Sequence, residues 1–411
     1  MDALALADRL WTGEIPIEEV HPISFSGDLT EVGNGIAFVP AFANVTAIAT
    51  TEGLVLIDTG SSMFAASNFE KIRAWCADPV HTAVFTHGHI DHVFGLGPFE
   101  EQARSEGRRP PQVIAHEAVV ERFDRYRATA GYNAVINRRQ FQVDGLEWPL
   151  DYRYPDVTYR DKLDVEIGGG HLQLHHGKGE TDDATWVWLP DERTLCCGDF
   201  FIWASPNAGN PQKVQRYPAE WATALRTMAT LDADVMLPGH GLPIVGRERV
   251  RRVLEDSAEL LESLVEQALR LMNDGASLDD VIHSVVVPRH LLERPYLRPI
   301  YDEPGFVVRN VWRLYAGWYD GNPAHLKPAP FADLAGELAG LAGGAVALAA
   351  RAEEVAAAGD LRLACHLAEL ARAAAPGDAT ITEVSRRIYA QRADGEASTM
   401  SKGIFSWAAR R

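Results

Sequence analysis

Thr86-His87-Gly88-His89-Ile90-Asp91-His92 is the stretch that most restricts what this chain can become. Three imidazoles and one carboxylate fall between His87 and His92. Ala83-Val84-Phe85 just ahead reads as a short buried strand. Val93-Phe94-Gly95-Leu96-Gly97 just after carries glycines that suit a tight turn or a close backbone approach. A chain that leaves a strand and turns here can aim neighbouring side chains at one or two points. Neutral imidazole nitrogen and carboxylate oxygen are the ligands that a borderline cation such as zinc takes. A polar surface loop rich in histidine is the competing reading, and so dense a set of metal-type ligands argues against it.

Length and charge set the outer limits. At 411 residues the chain exceeds one compact core, so two or more domains are expected. Acidic residues exceed basic ones by 57 − 39 = 18. That balance argues against nucleic acid as a partner, because phosphate binding needs clustered Lys and Arg. Small anionic substrates stay compatible, since a metal supplies local positive charge. No run of about 18 apolar residues offers a membrane span. Met1-Asp2-Ala3-Leu4-Ala5-Leu6-Ala7-Asp8 lacks a basic n-region and makes a poor signal peptide. Cys76, Cys196, Cys197 and Cys365 form no C-x-x-C pair, and they read as reduced thiols of a cytoplasmic protein.

Taken in order, residues 1–35 are mixed and polar, with turn signals at Gly27-Asp28 and Gly33-Asn34-Gly35. Ile36–Val39 and Val45–Ala49 read as strands. Leu54–Ile57 is a continuous apolar run, as in a strand buried on both faces, and ends at Asp58-Thr59-Gly60-Ser61. A helix over 64–76 and a strand from Val80 to Phe85 complete a βαβ unit. Val113–His116 reads as a strand whose terminal histidine is a structural residue rather than a ligand. Residues 117–130 read as a helix. Gly131 to Phe141 is either a substrate-facing insertion or a solvated helix face. Leu172–His176, Trp186–Pro190 and Thr194–Cys197 read as strands, the last two forming a hairpin that ends at Gly198-Asp199. A helix over 218–230 and a strand at 234–238 lead to Gly239-His240-Gly241. Glu180, Asp199 and His240 thus stand at or just past strand ends.

The motif H-x-H-x-D-H resembles that of the metallo-β-lactamase fold superfamily. The resemblance implies an αββα sandwich. It assigns His87 and His89 to one metal and Asp91 and His92 to a second. It places Asp58 beneath the metals as a hydrogen-bonding residue rather than a ligand. His176-Gly177-Lys178-Gly179-Glu180 lies where most members have H-x-x-G-H, so Glu180 takes the place of a histidine. Asp199 matches the bridging carboxylate and His240 the last ligand of the second metal. Asp91 and Asp199 are then the catalytic carboxylates. His175 and His176 fall outside the ligand set.

From Gly246 onward the pattern is helical, and Gly275 ends the first run. Ser277-Leu278-Asp279-Asp280 reads as a capping box, and Pro304 as the first residue of a helix. Residues 331–393 read as two or three antiparallel helices broken at Gly359-Asp360 and Pro376-Gly377-Asp378. The last ~15 residues read as frayed. Tyr301-Asp302-Glu303-Pro304 and Arg309 through Ala324, including Tyr319-Asp320-Gly321-Asn322-Pro323, are similar to the segment that joins the catalytic and dimerisation domains of alkyl sulfatases. That group also has glutamate at the place of Glu180. It typically has glutamate where this chain has Asp199, followed by a basic residue that holds sulfate. Phe200 to Asn210 contains no basic residue here, which leaves Lys213 and Arg216 as candidates, with Asn207 and Tyr132 as further substrate contacts. Trp203, Phe141 and Trp318 are candidate walls for an alkyl tail.

The resemblance therefore implies a catalytic domain over 1–248 and a helical dimerisation domain over 249–411. The expected function is zinc-dependent hydrolysis of alkyl sulfate esters by a homodimer, with two zinc ions per chain. Two metals about 3.5–4 Å apart share a water and lower its pKa towards ~7, so that a bridging hydroxide attacks. Hydrolysis of another ester class (lactone, thioester or β-lactam), a di-iron redox protein of the same fold, and a helical adaptor with a spent metal domain are the alternatives.

Overall fold

The structure, a computed structural model, describes residues 2–33 and 35–411, so Met1 and the Asn34 of the expected turn lie outside them. Cα packing divides the chain into two compact units. The first holds residues 2–130, 149–275 and 281–315; the second holds 131–148, 276–280 and 316–411.

The first unit is built on two sheets. One runs β1 (Thr30–Gly33), β2 (Ile36–Val39), β3 (Val45–Thr50), β4 (Gly53–Ile57), β5 (Val80–Val84), β6 (Gln112–His116) and β7 (Val157–Tyr159) in spatial order. Pairing is antiparallel from β1 to β4 and parallel from β4 to β7. The second sheet comprises β8 (Lys162–Ile167), β9 (Gly170–His176), β10 (Thr185–Leu189), β11 (Thr194–Gly198), β12 (Val235–Pro238) and β13 (Ile244–Val245), in reverse order across the sheet. Ile36, Phe38, Val55 and Ile57 of one sheet meet Leu172, Leu174, Val187 and Leu237 of the other in a shared core. Burying such side chains is worth roughly 1.5–3 kcal/mol each, and it explains why these strands read as near-continuous apolar runs.

Helices cover the outer faces and complete an αββα sandwich. Ala65–Trp75 carries the crossover from β4 to β5, and Gly97–Ser105 that from β5 to β6. Pro218–Ala229 packs along Arg247–Asn273 over the second sheet. The long helix after residue 248 thus belongs to the first compact unit, so packing does not divide the chain where the family-based boundary was expected. Gly95 is a close-approach glycine: a Cβ there would meet the Thr59 carbonyl oxygen at 1.8 Å.

The second unit gathers helices Ala130–Phe141, Phe331–Leu341, Ala345–Ala357, Leu361–Ala374, Ala379–Asp394 and Thr399–Ala409, with the first residues of Leu278–Ser284. Ala349, Ala352, Ala364, Ala368 and Ala371 form much of its core, and small side chains let these helices approach closely. The capping box is present: Asp280 N–H donates to Ser277 Oγ (3.2 Å) and Ser277 N–H to Asp280 Oδ2 (3.1 Å). Asp360 and Asp378 cap the helices that follow the two expected breaks. Three expectations need correction. Residues 331–393 hold four helices rather than two or three. The last ~15 residues are not frayed, because Thr399–Ala409 is a helix capped by Ser398, with Met400 fully buried. The polar N-terminus holds a helix, Ala3–Trp11, which buries Leu6 and Leu10.

Candidate metal centre

All seven residues named as ligands gather at one edge of the sandwich, where strand ends from both sheets open into loops. The loop after β5 carries His87 to His92, the segment after β9 carries Glu180, Asp199 directly follows β11, and β12 leads to His240. Backbone bonds tie these loops together. Thr185 N–H donates to Thr86 O (2.7 Å) and Gly239 N–H to Gly198 O (2.8 Å). Asn44, between β2 and β3, spans the two sheets: its Nδ2 donates to the carbonyls of Pro238 (2.9 Å) and Gly241 (3.0 Å).

Two ligand groups result. His87, His89 and Asp199 form one, and Asp91, His92 and His240 the other. Asp199 touches both: Oδ2 lies 3.7 Å from His87 Nε2 and 3.4 Å from His240 Nε2, and Oδ1 lies 3.4 Å from His92 Nε2. Asp91 Oδ2 is 3.3 Å from His240 Nε2. Glu180 stands slightly apart, with Oε1 3.9 Å from His89 Nδ1.

Whether this set fits a metal depends on where the ring protons go, and neighbouring acceptors decide that. Asp58 Oδ2 accepts from His92 Nδ1 (2.8 Å), and the Phe42 carbonyl accepts from His240 Nδ1. In the neutral rings that a metal requires, both Nε2 atoms are then lone pairs, and they face each other at 3.3 Å. Thr86 Oγ1 gives its proton to Asp58 (2.7 Å), so it accepts from His87 Nδ1 (3.1 Å). His87 Nε2 then faces His89 Nδ1 at 2.8 Å. The facing Nε2 lone pairs of His92 and His240 repel unless positive charge lies between them. Asp199 Oδ1 is buried and has no hydrogen-bond donor. Imidazole lone pairs, those of His87, His92 and His240 backed by a hydrogen-bonding partner, and an orphan carboxylate oxygen are the donor set that a divalent cation takes.

The electrostatics agree. Burial, and then the neighbouring His92, push His87 down to about 4. Burial opposes charge on His240, but Asp199 and Asp91 raise it to about 10. Burial likewise pushes Asp91 up, and His92 and His240 overcome it, holding the carboxyl at about 2. The carboxylates thus draw positive charge into the centre.

The substrate candidates divide. Arg216 is buried, and its Nη1 donates to Glu180 Oε1 (2.6 Å) and to the Glu180 carbonyl (2.8 Å). Its charge is committed to holding Glu180. Asn207 Nδ2 donates to the same Oε1 (2.6 Å). Burial drives Glu180 up to about 7 despite Arg216. Lys213 feels Arg216, Asp91 and Glu180, and burial followed by Arg216 lowers its amine to about 8. Trp203 is fully buried, its Nε1 donating to the Leu242 carbonyl (2.6 Å), so it is core. Tyr132, Phe141 and Trp318 belong to the helical unit, where Tyr132 and Trp318 are exposed. His116 stacks on His176 at 3.7 Å and His175 on Trp186 at 4.0 Å, outside either ligand group. Sequence reasoning missed Asn44, Thr86 and Asp183, which bond to the ligand loops, and Tyr301, whose hydroxyl is raised by burial first and then by Glu180 and Asp91. Their partners are far away in sequence, and spacing carried no signal of them.

Comparison with known proteins follows the same lines. Residues 39–240 match the family model described as the metallo-beta-lactamase superfamily, and residues 277–411 match that of alkyl sulfatase dimerisation. Residues 39–240 thus form a domain of the metallo-β-lactamase superfamily, and residues 277–411 an alkyl-sulfatase-type dimerisation region. It is 30% identical over 322 residues to a linear primary-alkylsulfatase of Pseudomonas sp., an alignment covering 72% of this chain and 60% of that protein. It is 27% identical over 362 residues to an (R)-specific secondary-alkylsulfatase of Pseudomonas sp., covering 79% and 53%. The chain thus spans about half to three-fifths of the length of these curated relatives. The solved structure of the stereoselective inverting sec-alkylsulfatase Pisa1 from Pseudomonas sp. shares the fold, with a TM-score of 0.83 at 23% identity, covering 92% of this chain and 64% of that one.

Proposed function

We propose that this protein is a zinc-dependent hydrolase of alkyl sulfate esters with two zinc ions per chain. The observation that carries the reading is Asp199, whose two carboxylate oxygens reach imidazoles of both ligand groups. His87, His89 and Glu180 would hold one ion, Asp91, His92 and His240 the other, and Asp199 both. Bound there, the ions supply Lewis acidity that makes water nucleophilic near neutral pH and offsets charge on an ester oxygen. Asp58, Thr86 and the Phe42 carbonyl hold the imidazoles in the tautomers the site needs. Arg216 and Asn207 fix the Glu180 carboxylate. Lys213, largely charged at pH 7 with its amine at about 8, is the cation placed to draw in an anionic sulfate.

A homodimer in the cytoplasm is part of the same proposal. The dimerisation model covers the helical unit's C-terminal stretch. There Phe331, Leu334, Leu338 and Leu341, at helical spacing on one face, are 53%, 51%, 37% and 86% exposed. The four cysteines are unbridged, as a reducing compartment would keep them.

The test is sulfate release from decyl sulfate by zinc-loaded protein, beside a lactone, a thioester and a β-lactam. Turnover of the sulfate ester is expected, with Lys213→Met raising KM more than it lowers kcat. Faster turnover of any other substrate, or full activity in His87→Ala, overturns the reading. Light scattering is expected to give a dimer that Leu338→Glu converts to monomer.

A further inference from the structure

Gly88 lies between two ligands, His87 and His89, and its environment is unusually specific. Its N–H donates to Asp183 Oδ2 (3.0 Å), a residue three positions beyond Glu180 and fully buried. The same oxygen accepts from Arg122 Nε (2.7 Å), in the helix Ala118–Ala128. Arg122, also buried, pairs with Asp182 as well. A Cβ on Gly88 would meet Arg122 Cδ at 2.7 Å and Asp183 Oδ2 at 3.1 Å, so the backbone rests directly on the ion pair. The Arg122 guanidinium also lies 5.9 Å from the Tyr126 ring centroid, and that ring lies 6.3 Å from His89.

The other half of the centre is held by different partners. His92 is oriented by Asp58 and His240 by the Phe42 carbonyl, and Asn44 ties the loop beside His240 to the other sheet. We propose that Asp183 and Arg122 are positioning residues for one half of the metal centre. Asp183 fastens the His87–His89 turn to the segment that carries Glu180, and Arg122 fixes Asp183. The pair therefore sets the spacing of His87 and His89 relative to Glu180 and governs the affinity of that metal site alone. The inference rests on the proposed two-metal centre.

The experiment uses the full chain with Zn²⁺ or Co²⁺ as the probe. Asp183→Ala, Asp183→Asn and the charge-free double variant Asp183→Asn/Arg122→Met are compared with wild type and with His89→Ala. Far-UV circular dichroism reports folding. Metal per chain and competition with a chromophoric chelator report affinity, and the Co²⁺ visible spectrum reports which site is filled. Wild type is expected to hold two ions. Asp183→Ala is expected to keep one and to bind the other about 10–100-fold more weakly, with a residual Co²⁺ spectrum matching that of His89→Ala. Asp183→Asn, which retains an acceptor for Gly88 N–H, is expected to lose less. Unchanged affinity at both sites, equal weakening of both, or unfolding of all three variants would overturn the proposal. The last result would assign the pair to the fold. A wild type that binds no metal overturns the two-metal reading itself, which keeps the two failures distinct.

Discussion

Replacing Asp58 tests the reasoning most directly. Its carboxylate is 2% exposed and accepts three hydrogen bonds, from Thr86 N–H (2.7 Å), Thr86 Oγ1 (2.7 Å) and His92 Nδ1 (2.8 Å). Asp58→Ala orphans all three donors at once. Each buried donor left unmade costs about 1–3 kcal/mol, and the hydroxyl can turn elsewhere, so the remaining two give a total of about 2–6 kcal/mol. Asp58 also has φ +57°, where alanine pays roughly 1 kcal/mol more than asparagine. The sum is comparable with the whole stability of many domains. Asp58→Asn keeps the backbone geometry and one acceptor but turns an amide N–H towards a donor, so an intermediate loss is expected. Urea denaturation of the metal-free proteins, followed by circular dichroism, gives the stabilities. Metal titration gives the second readout, because a His92 free to rotate or change tautomer is a poorer ligand. Asp58→Ala within 1 kcal/mol of wild type, with unchanged metal affinity, would refute the hydrogen-bond account of this corner.

Three further outcomes are expected. Gly95→Ala forces its Cβ against the Thr59 carbonyl and should lower the melting temperature by several degrees for a loss on the order of 1–3 kcal/mol; an unchanged melting curve contradicts the close approach. Cys196 and Cys197 are buried, and burial pushes the Cys196 thiol up to about 12, so iodoacetamide at pH 8 should label them only after unfolding, as read by mass spectrometry. Asp302 is fully buried, and burial outweighs its bonds from Glu303 and Gly209 N–H to raise it to about 7. Its folded pKa lies above the unfolded one, so it binds protons in the folded state and its contribution to stability falls as pH rises from about 4 to 7. Denaturation across that range should show a shallower fall in Asp302→Asn.

Much of this molecule could be read from residues alone, for identifiable reasons. Leu54–Ile57 and Trp186–Leu189 are buried on both faces, and such strands advertise themselves as apolar runs. His87 to His92 are neighbours in sequence, so their chemistry survives without coordinates. β8 was legible but not read: Lys162, Asp164 and Glu166 face outward and alternate strictly with Leu163, Val165 and Ile167, the pattern of a strand with one face in water. The helix Ala130–Phe141 showed no clear period because it buries Asn133, Asn137 and Gln140 as well as Ala134 and Ile136. The part played by Arg216 was misjudged for a related reason. A basic residue near a binding loop invites an anion, and only the distance to Glu180 reveals that the anion is already supplied from within.

The helical unit is not a contiguous piece of chain, and this bears on how the protein is made. Gln142 Nε2 donates to the Gly403 carbonyl across 261 residues (2.8 Å). At roughly 5–20 residues per second of translation, the earlier segment waits on the order of 13–50 s for its partner to leave the ribosome. A clone cut to begin near residue 277 would omit residues 131–148 altogether, leaving Gly403 facing solvent where Gln140 should lie, so truncated forms of this protein are best designed around the segment that arrives first.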